Sequence, residues 1–479
     1  MTPVTILITI LTYFCLLFGL SWWVGRNSNN AEFFNGGRKS KWYMVAFAMI
    51  GSMISGVTFV SVPGMVQTAG YGYLQMVLGF IVGQLLIAYV LVPLFYRMNL
   101  TSIYEYLEHR FGVTTYKTGA WFFFISKMLG AAVRFYLVCL TLQLLVFGPL
   151  GLPFILNIAC SMLLVWLYTA QGGVKSIIWA DSLKSACLII SVVLSIYFIA
   201  ADLNLDFKGI WSTVWNAHDF VFLDDVNEPQ FFWKQFLAGI FTMIATNGLD
   251  QDMMQRNLSC RNSKDAQKNM ITSGVMQLPV IALFLFLGTL LYLFAEKHGI
   301  TATKDELFPT VATQGGLPII VGVLFIVGLV AAAYNAAGSA LTALTTSFTL
   351  DILHARKKTE EALKTLRKQV HIGLTIVMGI VIFAFNIFNN TSVIDAVYKL
   401  ASYTYGPILG LFTFGIFTKF AVRDKLLPLV SVAAPILCFI LEKNSAAWFG
   451  GYKFSYELLI LNAAFTFIGM LLISKGKQK

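Results

Sequence analysis

The stretch AFAMIGSMISGVTFVSVPG, residues 46–64, decides how the rest of the chain is interpreted. It is apolar enough to lie in a membrane, yet small and polar residues stand where a spanning helix usually has Leu and Ile: Gly51, Ser52, Ser55, Gly56, Thr58, Ser61 and Pro63. Unpaired backbone carbonyl groups are costly in hydrocarbon, so such a segment is tolerated only where it is buried or lines a polar cavity. We therefore predict a broken helix whose freed carbonyl groups bind a cation near mid-membrane. The alternative is that these small residues only let helices pack closely.

The composition places the whole chain in a membrane. Of its 479 residues, 57% are hydrophobic and only 12% are charged, and the mean hydropathy is +0.74. These values exclude a soluble globular protein and indicate an all-α polytopic membrane protein. The formal net charge of +11 suggests nucleic acid, but the basic residues lie in short loops between apolar segments, as membrane topology requires. We therefore expect no nucleic acid partner.

The chain offers no set of residues for an enzyme. We find no nucleophile–base set, zinc-ligand spacing or phosphate-binding loop, and the five histidines lie in loops or near the ends of predicted helices. The six cysteines fall mostly in apolar segments without metal-ligand spacing. An enzyme is therefore not expected.

Hydrophobic segments of about 20 residues give about thirteen transmembrane helices. Basic clusters fall on alternate connections, whereas the acidic loop Asp202–Gln230 falls on the opposite side. The positive-inside rule then places the N-terminus outside and the C-terminus in the cytoplasm. We expect a multi-pass protein of the bacterial inner membrane that functions as a monomer in the lipid bilayer.

The helices predict a single transporter domain over residues 1–479. Residues 3–25 form an extra N-terminal helix, and the next ten helices divide into two sets of five, 41–201 and 232–419, before two C-terminal helices in 423–474. An odd number of helices per set makes the second set inverted relative to the first. Each set opens with an interrupted helix, at Gly51–Gly56 and at Ala245–Gly248. Paired interruptions indicate an inverted-repeat transporter with its site at the repeat interface.

Charged residues inside the predicted spans are few, and each is a functional candidate. Lys127 and Arg134 lie seven residues apart on one face of a helix, and a buried guanidinium group needs an anion. That anion is either a substrate carboxylate or a protein aspartate. Asp181 either pairs with Lys184 or binds a monovalent cation.

The helix that ends near Asp351 carries a stripe of hydroxyl groups at helical spacing, on Ser339, Thr342 and Thr346. The stripe is a natural partner for a cation. Hydroxyl groups in membrane helices often only bond to their own backbone, however, so this signal is weak alone.

An ordered set of motifs resembles the sodium:solute symporter family over essentially the whole chain. The motifs are SxxSGVTFVSVPG (52–64), YTAQGGVKSIIWAD (168–181), MMQRNLS (253–259), TSFTLDIL (346–353) and YGPILGLFTFGIFTK (405–419). The resemblance implies a LeuT-type fold of five plus five inverted helices with a broken first core helix, a Na⁺ site between the first and eighth core helices, and alternating access.

The resemblance also implies which residues bind Na⁺. The site would use the carbonyl groups of Gly51, Ile54 and Ala332 and the side chain of Asn335. Family members have hydroxyl residues at position 335 and the next one, whereas this chain has Asn335 and Ala336. Carbonyl, amide and hydroxyl oxygens all suit a hard cation, so Ala336 leaves the site short by one ligand.

A second Na⁺ site of some family members matches Asp181 and Ser339 in this chain. Its third position is Gly338, which supplies no side chain. The carboxylate of Asp181 then binds Na⁺, titrates as a proton site or pairs with Lys184.

We predict Na⁺-coupled symport of a small polar organic solute, such as a sugar, a sialic-acid-like compound or a carboxylate. The candidate solute-binding residues are the polar and aromatic ones expected to face the cavity: Ser52, Met53, Ser55, Thr58, Tyr73, Gln75, Arg134 and Asn247. Two rival functions stay open. In one, the amide of Asn335 replaces the cation and the protein is a facilitative or proton-linked carrier. In the other, the same scaffold is a solute sensor or channel.

Overall fold

The computed structural model describes residues 1–25, 40–98, 103–169, 174–353, 355, 359–388 and 393–477. Helices account for nearly all of the regular structure. The first ten α-helices are α1 (Pro3–Gly25), α2 (Trp42–Met53), α3 (Gly56–Ala69), α4 (Tyr73–Leu86), α5 (Val92–Met98), α6 (Glu105–Arg110), α7 (Val113–Leu142), α8 (Phe154–Thr169), α9 (Val174–Asp202) and α10 (Phe207–Ala217).

The second half continues with longer helices and a short pair of strands. Its helices are α11 (Phe232–Met243), α12 (Gln251–Leu258), α13 (Ser263–Lys297), α14 (Leu307–Gln314), α15 (Ile319–Ser347), α16 (Glu360–Phe388), α17 (Val393–Phe417), α18 (Leu427–Trp448) and α19 (Leu458–Leu472). Two strands, β1 (Phe420–Val422) and β2 (Ser474–Lys477), pair antiparallel. In the described part of the chain, four π-helical segments interrupt or end the α-helices: Ile87–Leu91, Gln143–Phe147, Ile244–Gly248 and Phe348–Ile352.

Within the described ranges, eight helices are long and apolar enough to cross a membrane, and the bent pair α2–α3 would be a ninth. Three further apolar helices are shorter: Pro3–Leu16, Phe154–Leu167 and Leu458–Leu472. The prediction of an all-α polytopic membrane protein is confirmed. The number thirteen stays a prediction.

The first predicted interruption is a real break. Helix α2 ends at Met53, helix α3 begins at Gly56, and the two axes differ by 56°. Between them Ile54 and Ser55 have extended backbones, with φ/ψ of −80°/98° and −86°/170°. The Ser55 hydroxyl oxygen caps α3 by accepting a hydrogen bond from the Thr58 amide at 3.4 Å. The Ile54 amide still donates to the Ile50 carbonyl oxygen at 3.0 Å, but the carbonyl groups after Ile50 in the last turn of α2 lack the partners that a continuous helix would supply.

The second predicted interruption is also present. Helix α11 ends at Met243 and passes through the π-helical turn Ile244–Gly248, and the chain then restarts as α12. Asp250 is extended and caps α12, because its carboxylate accepts hydrogen bonds from the amides of Asp252 (3.0 Å) and Met253 (3.3 Å). Both repeats thus present a helix end inside the protein.

Helices α4 and α11 pack with their backbones in contact, and this contact fixes the position of the second break. A Cβ atom added to Gly79 would overlap the carbonyl oxygen of Phe236, and one added to Gly239 would overlap that of Met76. Small residues allow such close approach between membrane helices. The break in α11–α12 is therefore held next to the helix that follows the first break.

We predict that Gly79→Ala lowers stability, because the added methyl group forces the α4 and α11 backbones apart. Overpacking of this kind costs about 1–3 kcal/mol. Gly373→Ala is the matched control, since Gly373 is also helical but exposed, with open space around it. Thermal unfolding of the purified variants in detergent measures the effect. An unfolding midpoint for Gly79→Ala equal to that of Gly373→Ala would contradict the packing argument.

Candidate functional site

The two breaks line one internal cavity of about 130 Å³. It is bounded by the broken helix pairs α2–α3 and α11–α12 together with α4, α7, α9, α13, α15 and α17. Seven of the predicted solute-binding residues lie on its wall: Ser52, Met53, Ser55, Thr58, Tyr73, Arg134 and Asn247. The structure therefore brings together residues that are up to 195 positions apart, from Ser52 to Asn247.

The eighth predicted residue, Gln75, is not on this wall. Its amide nitrogen donates hydrogen bonds to the carbonyl oxygens of Gly72 (3.2 Å) and Gln230 (2.9 Å), and its amide oxygen accepts one from the Phe222 amide at 3.0 Å. Gln75 is thus occupied in holding the loop before α11 against the start of α4. The sequence predicted Gln75 as a cavity residue because it is polar and lies near the start of a helix.

Two of the residues expected to bind Na⁺ lie at the first break. Gly51 and Ile54 flank the end of α2, and Ala332 is fully buried in α15. An added Cβ on Gly56 would lie 3.7 Å from Leu329 and 3.9 Å from Ala333, so the start of α3 rests against the α15 turn that contains Ala332. The side chains of Asp181 and Asn335 lie outside the described part of the chain.

A buried ion-pair network, which sequence reasoning missed, closes one end of the cavity. The Lys127 ammonium group donates hydrogen bonds to both carboxylate oxygens of Asp250, at 3.0 Å each, and to Asp252 at 3.2 Å. Tyr405 donates to Asp250 at 2.9 Å. Buried charges are stable only when paired and hydrogen-bonded, so Lys127 is a structural cation with protein carboxylates as its partners.

The same network reaches Ser339, one of the residues expected to bind a cation. Its hydroxyl group donates to Asp252 at 2.9 Å and accepts a hydrogen bond from Arg256 Nη2 at 2.7 Å. Arg256 also hydrogen-bonds Ser52 through Nη1. Helix α12 is thereby joined to α2 and α15. The other hydroxyl groups of the α15 stripe bond to the backbone of their own helix. Thr342 and Thr346 donate to carbonyl oxygens one turn earlier, at 2.8 and 3.0 Å.

Arg134 differs from Lys127 although it lies on the same helix. No described residue forms a hydrogen bond or an ion pair with its guanidinium group, which is half-buried and lies on the cavity wall. Its charge acts on the hydroxyl groups of Tyr73, Tyr398 and Tyr405. A guanidinium group in a membrane interior needs an anion. The described protein side chains do not supply it.

A pair of tyrosines separates the cavity from a larger vestibule of about 550 Å³. The hydroxyl groups of Tyr73 and Tyr398 are 2.6 Å apart, and Tyr73 lines both spaces. Along the broken helix, Ser52 meets the ion-pair network, Thr58 lines the cavity and Thr68 lines the vestibule. The network and the tyrosine pair therefore close opposite ends of the same cavity.

The charged residues of the second break carried a signal in the sequence. The segment Asp250–Arg256, DQDMMQR, follows the interruption directly and places three charges next to it. Asp250 also stands where an N-cap is needed after a break. Asp250 lies 123 positions from Lys127, so the sequence alone does not show that the two residues form an ion pair.

Comparison with known proteins finds relatives among sodium symporters. The sodium/sialic acid symporter NanT of Aliivibrio fischeri is 26% identical over 444 residues, which are 86% of this chain and 83% of that protein. The sodium/sialic acid symporter SiaT of Proteus mirabilis is 24% identical and covers 82% and 80%. The human sodium/iodide cotransporter is 25% identical and covers 83% of this chain, but the match spans only 64% of that longer protein.

Solved structures show the same fold. A Na⁺-coupled sialic acid symporter, solved in a substrate-bound outward-open state, superposes with a TM-score of 0.82 at 20% identity and covers 98% of this chain and 99% of that one. Mhp1, a nucleobase-cation-symport-1 family transporter, gives 0.53 at 13% identity, with coverage of 93% and 95%. The LeuT-type fold is confirmed.

Residues 33–424 match the sodium:solute symporter family, and this match covers most of the chain. The chain belongs to the sodium:solute symporter family and is a multi-pass, Na⁺-coupled transporter of a small solute, not an enzyme.

Proposed function

We propose that the protein imports a small organic carboxylate together with Na⁺, and that Arg134 binds the carboxylate. The observation that carries the proposal is the Arg134 guanidinium group, which faces the cavity without a hydrogen-bond or ion-pair partner among the described residues. Its planar donors match a carboxylate in bidentate geometry. The carboxylate of the solute would then be the anion that the guanidinium group needs in a membrane interior.

The charges around the cavity favour an anion as well. Leaving aside Lys184, which has interactions of its own, three of the described side chains on its wall are cationic and two are anionic: Lys127, Arg134 and Arg256 against Asp250 and Asp252. The two carboxylates are already engaged by Lys127 and Arg256. A positive excess in a low-dielectric space attracts and stabilises a negative solute.

The relatives agree with this solute class. Two are named as sialic acid symporters, and a mouse protein that is 24% identical is named sodium-coupled monocarboxylate transporter 2. Both names describe carboxylates. The sodium/iodide cotransporter carries an inorganic anion instead, so negative charge is common to the solutes in these names.

We propose that Na⁺ binds where α2 ends, through the carbonyl groups of Gly51, Ile54 and Ala332 and the side chain of Asn335. Asp181 and Ser339 are the candidates for a second cation. Both Na⁺ and solute would order the broken helix, so each raises the affinity of the other, by roughly 5- to 150-fold in typical coupled systems. The carboxylate charge near the cation adds to this coupling.

The remaining expectations belong to the same proposal. The repeats would comprise residues 41–201 and 232–419 and rock against each other around the cavity. Residues 3–25 and 423–474 would lie outside the repeats. We propose a monomer in the bacterial inner membrane, surrounded by lipid, with the N-terminus outside and the ion-pair network facing the cytoplasm.

Arg134→Met is expected to weaken carboxylate binding roughly 10- to 150-fold, the value of a lost charge-assisted hydrogen bond. Arg134→Lys keeps the charge and should retain part of the affinity. Uptake into proteoliposomes, driven by a Na⁺ gradient or with choline in place of Na⁺, measures both effects. The unfolding midpoint of Arg134→Met without solute should not fall, because no described contact is lost. Equal uptake by wild type and Arg134→Met, or unchanged uptake in choline, would refute the proposal.

The ion-pair network gives a second test, because alternating access requires its α7–α12 and α15–α12 contacts to open. Lys127→Met leaves two buried carboxylates undercompensated and should lower the free energy of unfolding by about 3–5 kcal/mol. Adding Asp250→Asn, which preserves the helix cap, should restore part of the loss.

Lys399→Met is the control for Lys127→Met. Lys399 also forms an ion pair, with Glu442, but 58% of its side chain is exposed, and exposed pairs contribute only about 0–1 kcal/mol. Chemical or thermal unfolding in detergent separates the two variants. A loss for Lys127→Met no larger than for Lys399→Met would show that the buried network contributes no more stability than an exposed ion pair.

A further inference from the structure

Two buried amide groups on the cavity wall have no protein partner, and the proposed binding of a carboxylate by Arg134 leaves them unused. Asn247 lies in the π-helical turn of the second break, and Gln277 lies in α13. Each residue is only 6% exposed, and both line the cavity. The Asn247 amide nitrogen and the Gln277 amide oxygen are fully buried without a hydrogen bond to any described residue.

Several other polar groups on the same wall are already hydrogen-bonded. The hydroxyl groups of Tyr73 and Tyr398 bond to each other, Thr246 donates to the Thr242 carbonyl oxygen at 2.8 Å, and Ser126 donates to that of Phe122 at 2.6 Å. The cavity wall therefore combines occupied polar groups with two unoccupied amides. A buried amide without a partner is costly, and native proteins rarely leave one.

The two unpartnered atoms have opposite hydrogen-bonding character. The Asn247 nitrogen is a donor, and the Gln277 oxygen is an acceptor. A carboxylate can accept from the first, but it has no proton to give to the second. A hydroxyl group or the NH and C=O of an acylamino group can satisfy both, because each of these groups donates and accepts.

The amides and Arg134 also lie on different helices. Asn247 and Gln277 belong to α11–α12 and α13, whereas Arg134 belongs to α7. A solute that bridges these elements needs two different ends.

We infer that the transported carboxylate carries a second, neutral group that both donates and accepts a hydrogen bond, a hydroxyl or an acylamino group, and that Asn247 and Gln277 bind it. The inference rests on the proposed function, because Arg134 must hold the carboxylate. It makes the site selective against simple alkyl carboxylates. An alkyl chain would leave both amides buried and unpaired, and sites built to bond a hydroxyl group discriminate strongly against analogues that lack it.

The test compares matched carboxylates with the full-length protein in Na⁺. The pairs are butyrate with 3-hydroxybutyrate, hexanoate with gluconate, and pentanoate with N-acetylglycine. Binding is measured by titration calorimetry and by the shift of the unfolding midpoint. We expect at least one substituted acid to bind about tenfold or more tightly than its alkyl partner, and the pair that responds shows whether a hydroxyl or an acylamino group is recognised.

The double variant Asn247→Leu with Gln277→Met keeps similar side-chain volumes and removes both amides. It should lose the preference by binding the substituted acid less tightly and the alkyl acid as well or better. A general loss of folding would instead lower the unfolding midpoint without solute, and the single variants then provide the same comparison.

Three results overturn the inference. Equal binding of alkyl and substituted acids by wild type would leave the carboxylate proposal intact and show that the amides do not select the solute. A preference that persists in the double variant would place the selective group elsewhere. Failure of all six acids to bind would reject the inference together with the proposed function.

Discussion

The structure depends on one constraint, which is that a backbone polar group in a membrane must be paired or must line a polar space. The chain violates helical pairing twice, between Met53 and Gly56 and again before Asp250. Caps from Ser55 and Asp250 satisfy part of each break. The groups that remain line one shared cavity. A site for polar solutes is thus a direct consequence of where the helices stop.

Charge pairing then gives the two ends of the cavity different tasks. Asp250 caps α12 and also accepts from Lys127 and Tyr405, so the residue that ends the break also closes the cavity. Arg134, two turns further along the helix of Lys127, has no partner among the described residues, and we propose that it binds the solute. In this proposal one helix carries both a structural cation and a binding cation.

Local chemistry explains what the sequence could predict. The small and polar residues between Gly51 and Pro63 predicted the first break because they are poor helix formers in hydrocarbon. Residues 245–248 predicted the second break for the same reason. Hydrophobic length indicated the polytopic helical class, and ordered motifs indicated the family. These signals depend on short segments, so a single sequence carries them.

Tertiary contacts explain what the sequence could not predict. The pairing of Lys127 with Asp250 joins helices 123 positions apart, and nothing near either residue reveals the other. The sequence did not reveal that Gln75 lies off the cavity wall, because a buried glutamine can bond to a loop as well as to a solute and only the contacts with Gln230 and Phe222 show which it does. The sequence did not single out Gln277, because only the structure shows that its amide oxygen is buried without a described partner.

The central claim is that both helix breaks face one polar cavity with an excess of positive charge. Its most direct test is the reaction rate of a single cysteine at Thr58, in a protein whose six native cysteines are replaced, with thiosulfonate reagents of opposite charge. The account predicts faster modification by the anionic reagent and protection by Na⁺ together with a bound carboxylate. A cysteine that does not react, or that reacts faster with the cationic reagent, would contradict it.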